Sequence, residues 1–325
     1  MNKLMKLDGL HLGDEAELVV RNLVEFRDDV LGQKNANTRK AYLCDFGLFQ
    51  RFCDKHNYSS FDNNLERTKN MFKHYLEHLI ESGLRKTTIK RKLSAISYFY
   101  GIAGLANPMN TSKVFKEMIV NKLNKIDGAQ NQANAFTLMD LDEFNKKLDF
   151  SSIKLRDLRN AAIVNLAFDT LLRASNIIDL TVDDLRFGEN LVYVRRSKTD
   201  QEGTGSYRYI SDFTEKICKE WLGRAEITKD YVFRNMRKSG LHIGEQLSYK
   251  GLLKIFKQVG FQVGKSITCH STRVGAAVAL YENGENEIEI MRNGGWKDIK
   301  MVDRYTQAAK MKTSAMSKLR QKISY

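Results

Sequence analysis

Residues 269–277 read CHSTRVGAA. His270 and Arg273 stand three apart, and small or apolar residues follow them as far as Leu280. The stretch runs to Gly284, a residue type that commonly ends a helix. It reads as a helix that opens with two polar side chains and continues as a close-packed rod. Buried polar groups are costly without partners. Whatever His270 and Arg273 meet should therefore explain the fold around them.

The chain has 325 residues, of which 42% are hydrophobic, enough for two domains with real cores. Lys and Arg number 53 against 39 Asp and Glu, a formal charge of +14. A surplus of this size implies a polyanionic partner, and nucleic acid is the usual one. Only one proline, Pro108, interrupts long stretches rich in Lys, Leu, Glu and Ala, so a mostly helical protein is expected. No apolar run reaches the roughly 18 residues that a membrane span needs. The opening MNKLMKLDGLHLGDE lacks the apolar centre of a signal peptide, so a cytoplasmic protein is expected. The four cysteines make no disulfide framework at this length. Cys53, His56, His74 and His78 have spacings that zinc sites use. They lie within amphipathic helical stretches, with Cys53 on the apolar stripe, and no metal or other cofactor is expected.

Residues 1–126 read as a helical domain, 127–135 (DGAQNQANA) as a linker, and 136–325 as a second domain of helices with a small sheet. In the second, ENLVYVRRS and SYRYIS read as strands around KTDQEGTG. In the first, helix starts near Thr38 and Thr87 are followed by cations, which oppose the helix dipole. A nearby phosphate would relieve that conflict, as would simple solvation. Lys40, Lys86, Lys90 and Arg91 are the expected DNA contacts there.

Six residues of the second domain form a chemical set: Arg173 in TLLRASNIIDL, Lys198 in RRSKTD, His270, Arg273, and Trp296 and Tyr305 in GGWKDIKMVDRYTQ. No paired carboxylates for a metal accompany them, and there is no GxxxxGK[ST] phosphate loop. Two guanidiniums can clamp the non-bridging oxygens of a phosphodiester and stabilise charge that grows in the transition state. A tyrosine can attack phosphorus, a lysine can protonate the leaving oxygen, and a histidine can serve as acid or base. Taken singly, each residue has a plainer reading. Arg173 could be a helix-terminal cation and His270 a core histidine. Arg195 and Arg196 rival Lys198, and Tyr281 and Tyr325 rival Tyr305. Arg159 could contact a phosphate or pair with Asp157 or Asp169.

Taken in order, the set resembles the Arg, Lys, His-x-x-Arg, His/Trp, Tyr signature of the tyrosine site-specific recombinases of the phage integrase family. The likeness covers about residues 25–320, more weakly in the first domain through NTRKAYLCDFGLFQRFC and GLRKTTIKRKL. The nine-residue step from Trp296 then selects Tyr305. The resemblance implies a SAM-like, core-binding helical domain and an α+β integrase-type catalytic domain with a small antiparallel sheet, closing as a clamp on double-stranded DNA. It implies that Tyr305 forms a 3′-phosphotyrosyl bond while Arg173, Arg273, His270 and Trp296 hold the phosphate and Lys198 protonates the leaving 5′ oxygen, without metal or ATP. It further implies a homo-tetramer on two inverted-repeat sites, a dimer on each, strand exchange through a Holliday junction, a last helix docked into a neighbouring subunit, and a bacterial, phage or plasmid source. A topoisomerase that cleaves and reseals one strand would share the chemistry, and a non-catalytic DNA-binding protein would share the charge. One departure stands out. Where the family carries Asp or Glu, three residues after the first arginine, this chain has Asn176, with Asp179 and Asp183 nearby as substitutes for the lost charge.

Overall fold

The computed structural model describes residues 16–30, 36–126, 132–195, 204–236 and 243–321. Its contacts divide the chain into two compact units, Met1–Gln130 and Asn131–Tyr325. Lys198, Arg196, Tyr325 and residues 127–131 of the linker stretch lie outside the described residues. Among the described residues no helix is long and apolar enough to cross a membrane.

The first unit is helical: α1 (Ala16–Glu25) with a π-helical turn at Phe26–Val30, α2 (Ala36–Lys55), α3 (Leu65–Glu81), α4 (Lys86–Ala103), α5 (Pro108–Thr111) and α6 (Lys113–Asn124). Local chemistry sets several of these ends. The Asn64 side chain accepts from the Glu66 and Arg67 amides, and Pro108 opens α5 behind an Asn107 cap. Gly104, at φ 75°, closes α4 in the left-handed region that glycine adopts freely. The α4 start differs from the expected threonine: the helix begins at Lys86, behind Arg85, whose side chain makes no cap. Along α3, Thr68, Met71, Phe72, Tyr75, Leu76 and Leu79 are buried at helical spacing. They meet an aromatic core in which the Phe46 and Phe99 rings lie 4.5 Å apart. Cys53 is fully buried there, with its sulfur 3.6 Å from that of Met71. His74 bonds the Tyr58 hydroxyl at 3.3 Å and packs edge-on against His56. Among the described residues no three His, Cys, Asp or Glu side chains are grouped to hold a metal ion.

The second unit begins with α7 (Leu138–Lys146), α8 (Leu155–Thr170), α9 (Ala174–Asp179) and a 3₁₀ turn at Val182–Asp184. Then come β1 (Leu185–Arg186), β2 (Leu191–Val194), β3 (Ser206–Tyr209), α10 (Asp212–Arg224), β4 (Arg234–Met236) and β5 (Ile243–Gln246). It ends with α11 (Tyr249–Gln262), α12 (Cys269–Glu282), α13 (Glu287–Gly294), α14 (Ile299–Lys312) and α15 (Ala315–Gln321). Strands β1, β2 and β3 form an antiparallel sheet in that order, with Tyr193 opposite Tyr207 and Val192 opposite Arg208. Strands β4 and β5 pair separately. Helix α8 is the centre of the core, buried on nearly every side and packed against α10 and α12. The architecture is thus mostly helical with small antiparallel sheets, as the sequence led us to expect.

Candidate active site

Most of the candidate side chains are presented at helix ends and turns. Helix α8 stops at Leu171, whose φ of 50° is left-handed and therefore strained for a branched residue. The chain turns outward, and Arg173 becomes the cap of α9, its carbonyl accepting from the Ile177 amide at 3.1 Å. Helix α12 opens at a Thr268 cap, where Thr268 and Ser271 exchange side-chain and backbone hydrogen bonds. This sets His270 in the first turn and Arg273 one turn on. The small residues behind them have a measurable purpose. A Cβ on Gly275 would lie 1.7 Å from the Phe136 carbonyl oxygen, and the Phe136 amide donates to Ser271 at 3.0 Å. The helix lies directly on the 136 backbone, which fixes its rotation. Arg173, Tyr249, Leu253, Thr268, His270 and Arg273 line a cleft of about 260 Å³.

The far wall is the turn after α13. Gly295 closes that helix at φ 59°, and a Cβ on Gly294 would lie 2.0 Å from the Trp296 ring. Arg273 is only 2% exposed. It donates to the Gly294 carbonyl at 3.0 Å and lies 4.9 Å from the Trp296 ring centre, a cation–π contact. Its Nε is buried without a partner. Helix α14 brings in Tyr305, 5% exposed, with its hydroxyl 2.9 Å from His270 Nε2 and its ring 5.3 Å from that of Trp296. The structure thus brings Arg173, His270, Arg273, Trp296 and Tyr305 together.

The charges around this cluster are unbalanced. Burial, then the field of Arg173, pushes the Arg273 guanidinium down to about 9, with Arg208 adding to the effect and Tyr305 opposing it. Burial lowers Arg173 as well. The His270 ring keeps one edge in solvent, yet desolvation and then Arg273, Arg304 and Arg173 hold its pKa below the usual imidazole value. Burial raises the Tyr305 phenol, against the pull of Arg273, Arg304 and Arg173. Among the described residues none of Arg173, Arg208, Arg273 and Arg304 pairs with a carboxylate. Asp179 accepts from Gln246 at 2.7 Å and forms no ion pair among the described residues. Asp183 forms no ion pair among the described residues. Crowded cations without counter-charge suit an anion.

Other expectations resolve differently. Arg195 is committed to Asp184 and Thr181. Tyr281 bonds Thr313, away from the cluster. Arg159 needs correction: it is 6% exposed and donates to the Arg234 carbonyl at 3.0 Å and to Asn160. It is largely buried and pairs with neither Asp157 nor Asp169, and Asp169 instead accepts from Ser211. In the first unit Lys40 and Lys90 are exposed, and Lys86 donates to Asn124 at 2.9 Å. Arg91 is held by the buried Asp45, which also binds Lys92 at 3.1 Å, so its expected free contact is partly spent inside the fold. Two cations escaped the sequence reading. Arg304 precedes Tyr305. Arg208 on β3 sits between Tyr207 and Tyr209, which are 54% and 59% exposed, so strand alternation turns it inward.

Comparison with known proteins adds independent findings. The model of the phage integrase family matches residues 137–312, and that of the phage integrase N-terminal SAM-like domain matches residues 23–105. The recombinase Cre of Escherichia phage P1 is 29% identical over 266 residues, covering 75% of this chain and 77% of the relative. An integrase/recombinase XerD homolog of Selenomonas ruminantium is 28% identical over 301 residues, 88% of this chain and 86% of that one. Among solved structures, XerH site-specific recombinase bound to a palindromic difH substrate in a post-cleavage complex superposes with a TM-score of 0.63 at 17% identity, over 96% and 92% of the two chains. At that identity the likeness speaks for the fold.

Proposed function

The chain belongs to the phage integrase family, and from that premise we propose that it is a Cre-like tyrosine recombinase whose nucleophile is Tyr305. The observation that carries the proposal is the 2.9 Å hydrogen bond between the Tyr305 hydroxyl and His270 Nε2, beside guanidiniums that pair with no carboxylate among the described residues. The depressed pKa of His270 keeps it neutral near pH 7, so Nε2 can take the phenolic proton. The Tyr305 oxygen attacks phosphorus as the bond to the 5′ oxygen breaks, and Lys198 gives that oxygen its proton. Arg173 and Arg273 neutralise the non-bridging oxygens of the five-coordinate transition state, and Trp296 packs on the phosphate while holding Arg273 in place. The products are a 3′-phosphotyrosyl bond and a free 5′ hydroxyl. Attack by a 5′ hydroxyl from another strand reverses the chemistry, so the bond energy is retained and neither ATP nor a metal is required.

The substrate of the reading is double-stranded DNA with an inverted-repeat site. Two dimers assemble as a tetramer and exchange strands through a Holliday junction. Lys40, Lys86 and Lys90 lie on the helices of the SAM-like unit and serve as phosphate contacts. Helix α15 exposes Met316 at 65% and Leu319 at 55%, an apolar edge suited to a groove on a neighbouring subunit.

The test is to trap the adduct. The protein is incubated in EDTA with a library of nicked duplexes and quenched with detergent, and protein-linked DNA is sequenced, with Tyr305→Phe in parallel. Adducts from the wild type alone are expected and reveal the site. Tight binding of one sequence without adducts would sink the proposal, and adducts that persist in Tyr305→Phe would move the nucleophile elsewhere.

A further inference from the structure

Arg208 stands out among the cations around the cleft. It lies on β3, directly opposite Val192, and faces the interior of the unit between two exposed tyrosines. Its guanidinium lies against the turn that ends α13, with Nη2 only 2.6 Å from where a Cβ on Gly295 would be. The neighbouring Gly294 carbonyl is the acceptor for Arg273. One glycine pair therefore carries Arg273 and Trp296 on one side and Arg208 on the other. Each has a reason to be glycine: a side chain at 294 would collide with the indole, and Gly295 sits at φ 59°, where its missing Cβ also leaves room for Arg208. The only hydrogen bond of Arg208 among the described residues runs from Nη1 to the Tyr207 carbonyl at 2.7 Å. A half-buried guanidinium that spends one N–H on a carbonyl retains its other donors and its full charge.

We infer that Arg208 is a third guanidinium of the phosphate-binding site, acting with Arg173 and Arg273 to neutralise the non-bridging oxygens of the scissile phosphodiester. The inference rests on the recombinase reading and deepens it. Burial and the field of Arg173 already depress the Arg208 pKa, and Arg208 in turn contributes to the depression of Arg273. The three charges repel one another. Each is relieved by the same bound anion. This arrangement also suits a site that has Asn176 in place of an acid. With no carboxylate partner among the described residues, the charge of all three arginines is available to the phosphate.

The experiment uses the full-length protein and the site recovered by adduct sequencing. Single-turnover cleavage is measured at saturating protein for wild type, Arg208→Ala and Arg208→Met. The methionine variant keeps an apolar stem against the Gly294–Gly295 turn. Each protein meets two substrates: the ordinary duplex, and one with a methylphosphonate at the scissile position, which carries no charge to neutralise. Loss of one transition-state donor typically costs about 10²-fold, so a deficit of that order is expected on the ordinary duplex for both variants. On the methylphosphonate the deficit should vanish. Variants that cleave the ordinary duplex like wild type would overturn the inference. So would an equal deficit on both substrates, which would mean that Arg208 only supports the turn. A wild type that forms no adduct would overturn the recombinase reading, and this inference with it.

Discussion

A phenol buried among guanidiniums feels two opposed pulls. Burial raises the Tyr305 pKa while Arg273, Arg304 and Arg173 lower it, and the net shift is upward. At neutral pH the phenol keeps its proton, and His270, held below the usual imidazole value, is free to accept it. A base with a depressed pKa stays neutral until the pH falls past that lower value. The cleavage rate should therefore be flat through neutrality and fall only below about pH 6.5, the ordinary imidazole range. His270→Gln should be slower throughout and lack this acid limb; an unchanged limb in that variant would show that another group titrates. The thiols give a second test. Cys44 is exposed, whereas Cys53, Cys218 and Cys269 are buried and burial raises all three, Cys218 to about 12 and Cys269 to about 11. In mass spectrometry a thiol reagent should label Cys44 alone until the protein unfolds. Residues at this scale were readable from the sequence when their placement follows chain spacing, as for His270 and Arg273. Arg159 was not readable: its acceptor on Arg234 lies 75 residues away, and burial, invisible in a local stretch, decides its fate.

Helix α12 is held at a fixed depth by one missing side chain. Gly275→Ala would force a methyl into the Phe136 carbonyl. Overpacking of this kind costs about 3 kcal/mol or more when the obstacle is backbone. Urea unfolding should show that loss, and activity should fall with it as His270 and Arg273 move. In the first unit, helices α2 and α4 are joined by Asp45, buried with Lys92 and shared with Arg91. Asp45→Ala strands a buried ammonium and should cost roughly 3–5 kcal/mol. Adding Lys92→Met should restore much of it, because replacing both partners removes the unpaired charge. If the double variant is no more stable than the single one, the pair is not the source of the loss. The long helices were readable because each carries an apolar stripe and end signals. The β4–β5 pair was missed because RNM and IGEQ have no apolar alternation, and their pairing is imposed by the chain around them. The α4 start was misplaced because Arg85 caps without a side-chain bond, leaving the threonines as the more persuasive signal.

For the molecule as a whole, the formal charge of +14 should show as steep salt dependence of DNA binding. The slope of log affinity against log salt is about −0.9 per phosphate neutralised. Removing Lys40 or Lys90 should flatten that slope by about one unit each while leaving sequence preference intact. A slope unchanged in both variants would show that those lysines face water. The mostly helical character and the small sheet were readable at this scale, because proline is nearly absent and strand-like stretches are few and short. The closeness of Arg208 to Arg173 and Arg273 was not, since it depends on which strand face meets which helix end. Tyr305 bonds His270 of its own chain, so the proposed nucleophile and its proton acceptor would be inherited together. Mixing Tyr305→Phe with Arg173→Ala protein should yield no complementation, since no exchange of subunits can assemble an intact set. In genetic terms, for the proposed tetramer the Tyr305→Phe lesion should be recessive for the strands cut by wild-type neighbours and dominant for the completed product, which would require every subunit to cut.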